Sequence, residues 1–217
     1  MTEPEFEVAS ALPGVPVASP GAVVRKRPKP GERRVQILQA LASMLEQPGA
    51  ERITTAALAA RLEVSEAALY RHFASKAQMF EGLIEFIEQS VFSLVNQITE
   101  RESAPVAQVN KVLVMLLSFA EKNPGMTRVM VGDALVFEHE RLQIRMNQFF
   151  DKIEATFRQS LRGLAQAEGS SAPTVDAQVR ASVLLAFALG RMQRYARSGF
   201  KRLPTEHLEA SLAHLNA

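Results

Sequence analysis

The chain has 217 residues, 47% of them apolar, and no cysteine, so a substantial core is available while disulfides and thiolate metal sites are excluded. A formal net charge of +2 is too small to argue for a polyanionic partner by its sum, and the placement of the charges matters more. No apolar run approaches the roughly 20 residues of a membrane helix, and the acidic start Glu3, Glu5, Glu7 lacks the basic first region of a secretory signal, which together predict a cytoplasmic chain with no membrane partner.

Residues 1–31 are rich in Pro, Gly, Val and Ala without a sustained period, and read as a disordered, basic-ended arm. Residues 25–80 hold ten basic residues against five acidic ones. Six of the ten (Arg25, Lys26, Arg27, Lys29, Arg33, Arg34) fall in the arm immediately before the first helix, where they can follow a phosphate backbone or reach a minor groove. That helix is predicted from Glu32 to Glu46, with Val35, Leu38, Leu41, Ala42 and Leu45 on its core face and Pro48-Gly49 as its stop.

From Arg52 to Phe86 the pattern is helix, tight turn, short helix, helix. Thr54 and Thr55 can accept from the free N–H groups of the helix that follows, and Leu58 and Leu62 give it one apolar stripe. Leu-Glu-Val then breaks the register before Ser65, an N-cap for a helix expected over Glu66 to Phe73. Leu69 and Phe73 point inward, which leaves Ala67, Ala68, Tyr70, Arg71 and His72 as a small or polar outer face able to enter a major groove. Ser75 and Gln78 form a capping box that opens the next helix and puts Lys76 in its first turn, where a phosphate is favoured.

That fourth helix carries Phe80, Leu83, Ile84, Ile87, Val91, Leu94, Val95 and Ile98, long enough to join the small reader to everything after it. Pro105 suits a first helical position, Val112, Leu113, Leu116, Leu117 and Ala120 form a stripe, and Asn123-Pro124-Gly125 stops the helix. A short helix near Met126 to Val131 should follow. A long amphipathic one is expected from Ala134 to Ala167, another from Thr174 to Ser198-Gly199 with Val179, Val183, Leu184, Phe187 and Gly190, and Thr205 is expected to cap a last one. Two long helices apolar on more than one side fit either a closed monomer core or a four-helix interface between two copies.

The reader resembles the DNA-binding domain of the TetR family, in which a threonine-opened helix, a Tyr-x-x-Phe recognition helix and a Ser-Lys helix start recur together; here these are Thr54 and Thr55, Tyr70 and Phe73, and Ser75 and Lys76. The resemblance covers about residues 33–202 and continues into SEAALYRHF, LIEFIE, EKNPG and RMNQFFDKIEA, where it is similar to a branch of the family that antagonises cell division. It implies an all-α, TetR-like fold, with an arm over 1–31, a helix-turn-helix domain over 32–79 and a helical dimerisation and partner-binding domain over 80–217. It also implies a homodimer on palindromic double-stranded DNA, nucleoid-associated, read by Arg33, Thr54, Thr55, Ser65, Ala67, Ala68, Tyr70, Arg71, His72 and Lys76. The partner implied is the tubulin-like division protein FtsZ, held near the fourth and fifth helices by Phe86, Leu94, Met115, Lys122 and Asn123. Phe86 and Asn123 match related proteins, whereas Leu94 and Lys122 stand where a relative has arginines and Met115 and Ser118 also differ. The alternative is a repressor released from its operator by a small molecule, to which Met115, Met126, Met130 and Met146 would suit an adaptable pocket.

An enzyme is not indicated. His72, His139, His207 and His214 have no partners at metal-ligand spacing, and there is no HExxH, Gly-rich phosphate loop or G-x-S-x-G elbow. No cofactor, metal or small-molecule ligand is expected. His139 between Glu138 and Glu140 reads as a surface feature, and the basic cluster Arg191, Arg194, Arg197, Lys201 and Arg202 as a solvated helix end.

Overall fold

The computed structural model describes residues 31–47 and 53–215, and their regular elements are all helical. In chain order they are α1 (Glu32–Leu45), α2 (Thr55–Arg61), α3 (Glu66–Tyr70), α4 (Lys76–Arg101), α5 (Pro105–Lys122), α6 (Pro124–Met130), a 3₁₀ turn (Asp133–Leu135), α7 (Glu140–Ala167), α8 (Pro173–Arg197) and α9 (Leu208–Leu215). The arm with Arg25, Lys26, Arg27 and Lys29, and the Pro48-Gly49 stop, lie outside the described residues.

The caps at Thr54, Ser65 and Ser75 form as expected. Thr54 Oγ1 accepts from Ala57 N at 3.1 Å, Ser65 Oγ from Ala68 N at 3.3 Å and Ser75 Oγ from Gln78 N at 3.2 Å. The Gln78 side chain reaches back one residue further than in a standard capping box, taking the Ala74 N–H at 2.9 Å. Between α2 and α3 the chain turns by a Schellman arrangement, Val64 N to Ala59 O and Glu63 N to Ala60 O, with Glu63 in the left-handed region at φ 52°.

Several boundaries differ from the sequence reading. The recognition helix ends at Tyr70 rather than Phe73, because His72 N and Phe73 N both turn back to Leu69 O and the Arg34 guanidinium takes His72 O at 2.6 Å. The core face of α1 is Ile37, Leu41, Ala42 and Leu45; Val35 points outward, and α1 stops one residue before Glu46. Arg33 and Arg34 are part of the first turn of α1 instead of an arm before it: Arg33 bonds Gln36, and Arg34 stacks on the Phe73 ring at 4.0 Å. The long pattern from Ala134 splits, since Gly132 at φ 86° ends the preceding turn and His139, through Nδ1 to Arg141 N, caps an α7 that starts only at Glu140. Thr205 does not cap α9 with its side chain, which donates to Glu121 on α5.

One continuous apolar core runs from Ile37 on α1 to Leu212 on α9, passing through α4. Phe149 anchors it between Phe92 at 5.3 Å and Phe150 at 5.0 Å, both edge-on. Met115, Met126, Met130 and Met146 are all buried in it. The reader half is seated on the rest at two places. Gly125 of α6 meets α1 so closely that a Cβ there would lie 2.0 Å from Ala42 O, and its N–H bonds the Glu46 carboxylate. Along the α4–α7 seam, Arg141 pairs with Glu81 at 2.7 Å, Arg145 with Glu88 at 2.6 Å, and Lys76 with Glu138. The hydrogen bond that Arg145 makes to Glu88, with the charges of Glu88, Glu85 and Glu81 around it, holds the guanidinium charged against the cost of its partial burial.

Candidate DNA interface and the hollow beside helix α5

The outer face of the reader is built by the three caps, which fix where each short helix starts and hence which residues point away from Leu58, Leu69 and Phe73. Thr54, Ser65, Ala67, Tyr70, Arg71 and His72 are exposed together, with Tyr70 at 45%, and Ala68 is half-buried behind them. This is a shallow face of small residues flanked by a phenol, a guanidinium and an imidazole, the shape and donor set a major groove accepts. Thr55 is used differently from expectation, since its hydroxyl donates to Glu66 at 2.6 Å and locks α2 onto the first turn of α3. Arg34, missed as a structural residue, clamps the end of the recognition helix across 38 residues of chain. Lys76 sits in the first turn of α4 as read, but its ammonium is already held by Glu138, a partner no local pattern announces.

The five residues assigned to a partner surface are not all in one place. Met115 and Lys122 line a hollow of about 380 Å³ between α4 and α5, together with Ile98, Asn110, Lys111, Val114 and Ser118. Phe86 and Leu94 are half-buried on α4, packed against the core. Asn123 is only 4% exposed, and its Nδ2 donates to Phe119 O at 2.8 Å, so it shapes the end of α5 rather than presenting a side chain. The residues missed share a signal: Asn110, Val114 and Ser118 recur at every fourth position up to Lys122, off the apolar stripe of α5, and Val114 is left 40% exposed. Lys111 bonds Glu102 at 2.7 Å and holds that carboxyl below the usual range, leaving Lys122 as the more available cation of the two. No group of histidine and acidic side chains able to hold a metal occurs among the described residues, and none of their helices is long and apolar enough to cross a membrane.

Comparison with known proteins follows the same two halves. Residues 37–83 match the model for bacterial regulatory proteins of the tetR family, and residues 104–216 the SlmA-like model described as a tetracyclin repressor-like, C-terminal domain. The nucleoid occlusion factor SlmA of Idiomarina loihiensis is 53% identical over 178 residues, 82% of this chain and 90% of that one. The chain belongs to the SlmA nucleoid occlusion factors of the TetR family. SlmA of Aliivibrio fischeri is 52% identical over 88% of this chain and 97% of its own, and SlmA of Vibrio vulnificus 53% over 87% and 96%. It is therefore a nucleoid occlusion factor with a DNA-binding reader, and not an enzyme. Among solved structures, the fatty acid degradation regulator FadR of Bacillus halodurans superposes with a TM-score of 0.68 over 87% of this chain and 96% of its own at 14% identity. FadR of Bacillus subtilis, solved with stearoyl-CoA, gives 0.66 over 83% and 96% at 12% identity; at such identity the likeness is one of fold.

Proposed function

We propose that this protein works as a homodimer on palindromic chromosomal DNA in the cytoplasm and uses the hollow beside α5 to hold FtsZ, so that a division ring does not assemble over the nucleoid. The observation that carries the reading is the α4–α5 hollow, an apolar recess rimmed by Lys111 and Lys122 on a chain that also presents a DNA reader, and lined by two of the five residues that the family resemblance implies for a partner surface, Met115 and Lys122. A cation at the rim suits an acidic partner segment and an apolar floor suits its anchoring side chains. Dimerisation is supported by α8, where Val175, Val179 and Val183 are 60%, 57% and 51% exposed on one stripe that continues to Ala186 and Gly190. A stripe of that kind, beside a helix as long as α7, is what a two-fold four-helix interface buries. Two-fold symmetry then presents two recognition helices about one helical turn of DNA apart.

DNA acts in this reading as an effector: it orders α4 and so sets the α4–α5 hollow, and by linkage FtsZ tightens DNA binding by the same factor that DNA tightens FtsZ binding. The test is binding of purified FtsZ, by sedimentation or anisotropy, with and without a palindromic duplex selected by the protein from random DNA. Saturable FtsZ binding that strengthens with the duplex is expected. Tight duplex binding with no FtsZ capture would instead leave a repressor and direct the search to a small-molecule inducer.

A further inference from the structure

Lys76 is a reader cation whose charge is already answered within the chain. Its ammonium contacts the carboxylate of Glu138, 62 residues away in the link between the 3₁₀ turn and α7; the two side chains are 26% and 9% exposed. The other two ion pairs on the α4–α7 seam have the opposite sense, with α4 supplying Glu81 and Glu88 and α7 supplying the arginines. Only at the reader end of this seam does the C-terminal half place an acid against a base that faces the DNA side. In the link that carries Glu138, Ala134 and Leu135 are buried, whereas Val136 and Phe137 are 70% and 67% exposed, so between Leu135 and Glu138 no side chain is seated in the core. Its near hydrogen bond is Glu138 N to Leu135 O at 3.0 Å.

We propose that Glu138 is an intramolecular competitor of a DNA phosphate for Lys76, a latch through which the C-terminal half sets DNA affinity and through which bound DNA releases the α6–α7 link. The inference rests on the reading of Lys76 as a phosphate contact. A carboxylate touching the ammonium cancels most of the field that would draw a phosphate, and a phosphate arriving at the same atom must displace it or stand beside a like charge. Either outcome weakens DNA binding relative to a chain without the acid. Reciprocity follows: whatever draws Glu138 away from Lys76 tightens DNA binding, and DNA frees a segment that leads directly from α6, the helix seated on α1 at Gly125.

The experiment measures affinity of the full-length protein for its selected duplex and for a random duplex, by anisotropy at fixed salt. Glu138→Gln should tighten binding to both duplexes by about threefold to tenfold, the range supported by an ion pair that is more buried than a surface one. Glu138→Asp, which keeps the charge but withdraws it by one methylene, should give a smaller gain in the same direction, and its thermal melt with that of Glu138→Gln confirms the fold. Glu140→Gln removes the same charge two residues away and should change affinity less than about twofold. Lys76→Ala should cost more in the Glu138→Gln background than in the native one. Equal or weaker binding by Glu138→Gln, or a gain matched by Glu140→Gln, overturns the latch. Lys76→Ala without effect in either background, while Tyr70→Ala weakens binding, overturns the latch and leaves the DNA reading standing; absence of saturable binding to any duplex overturns both.

Discussion

Replacing Gly125 by alanine tests whether the reader is rigidly seated on the C-terminal half. The added Cβ would lie 2.0 Å from Ala42 O and 2.9 Å from its carbonyl carbon, both backbone atoms of α1 that no side-chain rotation can move away. The α1 and α6 backbones must therefore part by roughly 1 Å, and overpacking of this kind costs about 1–3 kcal/mol, here toward the upper end because the obstacle is main chain. For a chain of this size about 3 kcal/mol corresponds to a melting temperature lower by roughly 6–12 °C. The displacement would also strain the bond from the Gly125 N–H to Glu46. The assay is thermal unfolding followed by circular dichroism at one protein concentration, since a dimer's midpoint depends on concentration. Gly163→Ala is the control: that glycine is inside α7 with nothing within 4 Å of a built Cβ, so alanine there should stabilise by about 0.5–1 kcal/mol through helix propensity. A Gly125→Ala protein that melts within about a degree of the native one would refute the rigid seat.

Four further outcomes are expected. Gly190→Ala has open space around it in the protomer, so it should stabilise a monomer; if α8 forms the dimer face it should instead weaken the dimer, read by sedimentation across a dilution series. Glu46→Gln tests a carboxyl whose affinity for its proton is raised chiefly by burial against α6, partly offset by the Gly125 N–H. A raised folded-state value means the acid favours the fold below its ordinary titration and the contribution is lost as pH rises, so the variant's melting temperature should exceed the native one at neutral pH and converge with it under acid. Much of the residue is still exposed, so the difference is small. Lys122→Glu should weaken FtsZ capture roughly tenfold, as reversal of a rim charge does, without altering the duplex affinity of the isolated protein. Arg191→Ala removes bonds to the carbonyls of Pro204 and Glu206 and to Ser211 Oγ, and should cost about 1–2 kcal/mol and speed hydrogen exchange in α9.

The sequence by itself determined the helices, their caps and most of their inner faces. Thr54, Ser65 and Ser75 each bond a backbone N–H three residues on, and Leu69, Phe73, Leu83 and Ile87 bury as their spacing demands. These are interactions within one or two helical turns, written in neighbouring letters. The exposed reading face around Tyr70 follows from them, as does the family. What only the tertiary structure decided are contacts made across long stretches of chain: Arg34 on His72, Lys76 on Glu138, Ala42 against Gly125. None of these has a period or a local motif, because the residues meet only when the end of α3 folds back onto α1, and when α6 and the link before α7 return to the reader after α4 has carried the chain away. The hollow beside α5 belongs to the same class. Its α5 side is a stripe of fourth-position residues visible in sequence, but that this stripe borders open space beside Ile98 of α4 on one flank and α9 on the other, rather than being covered, depends on how the helices pack.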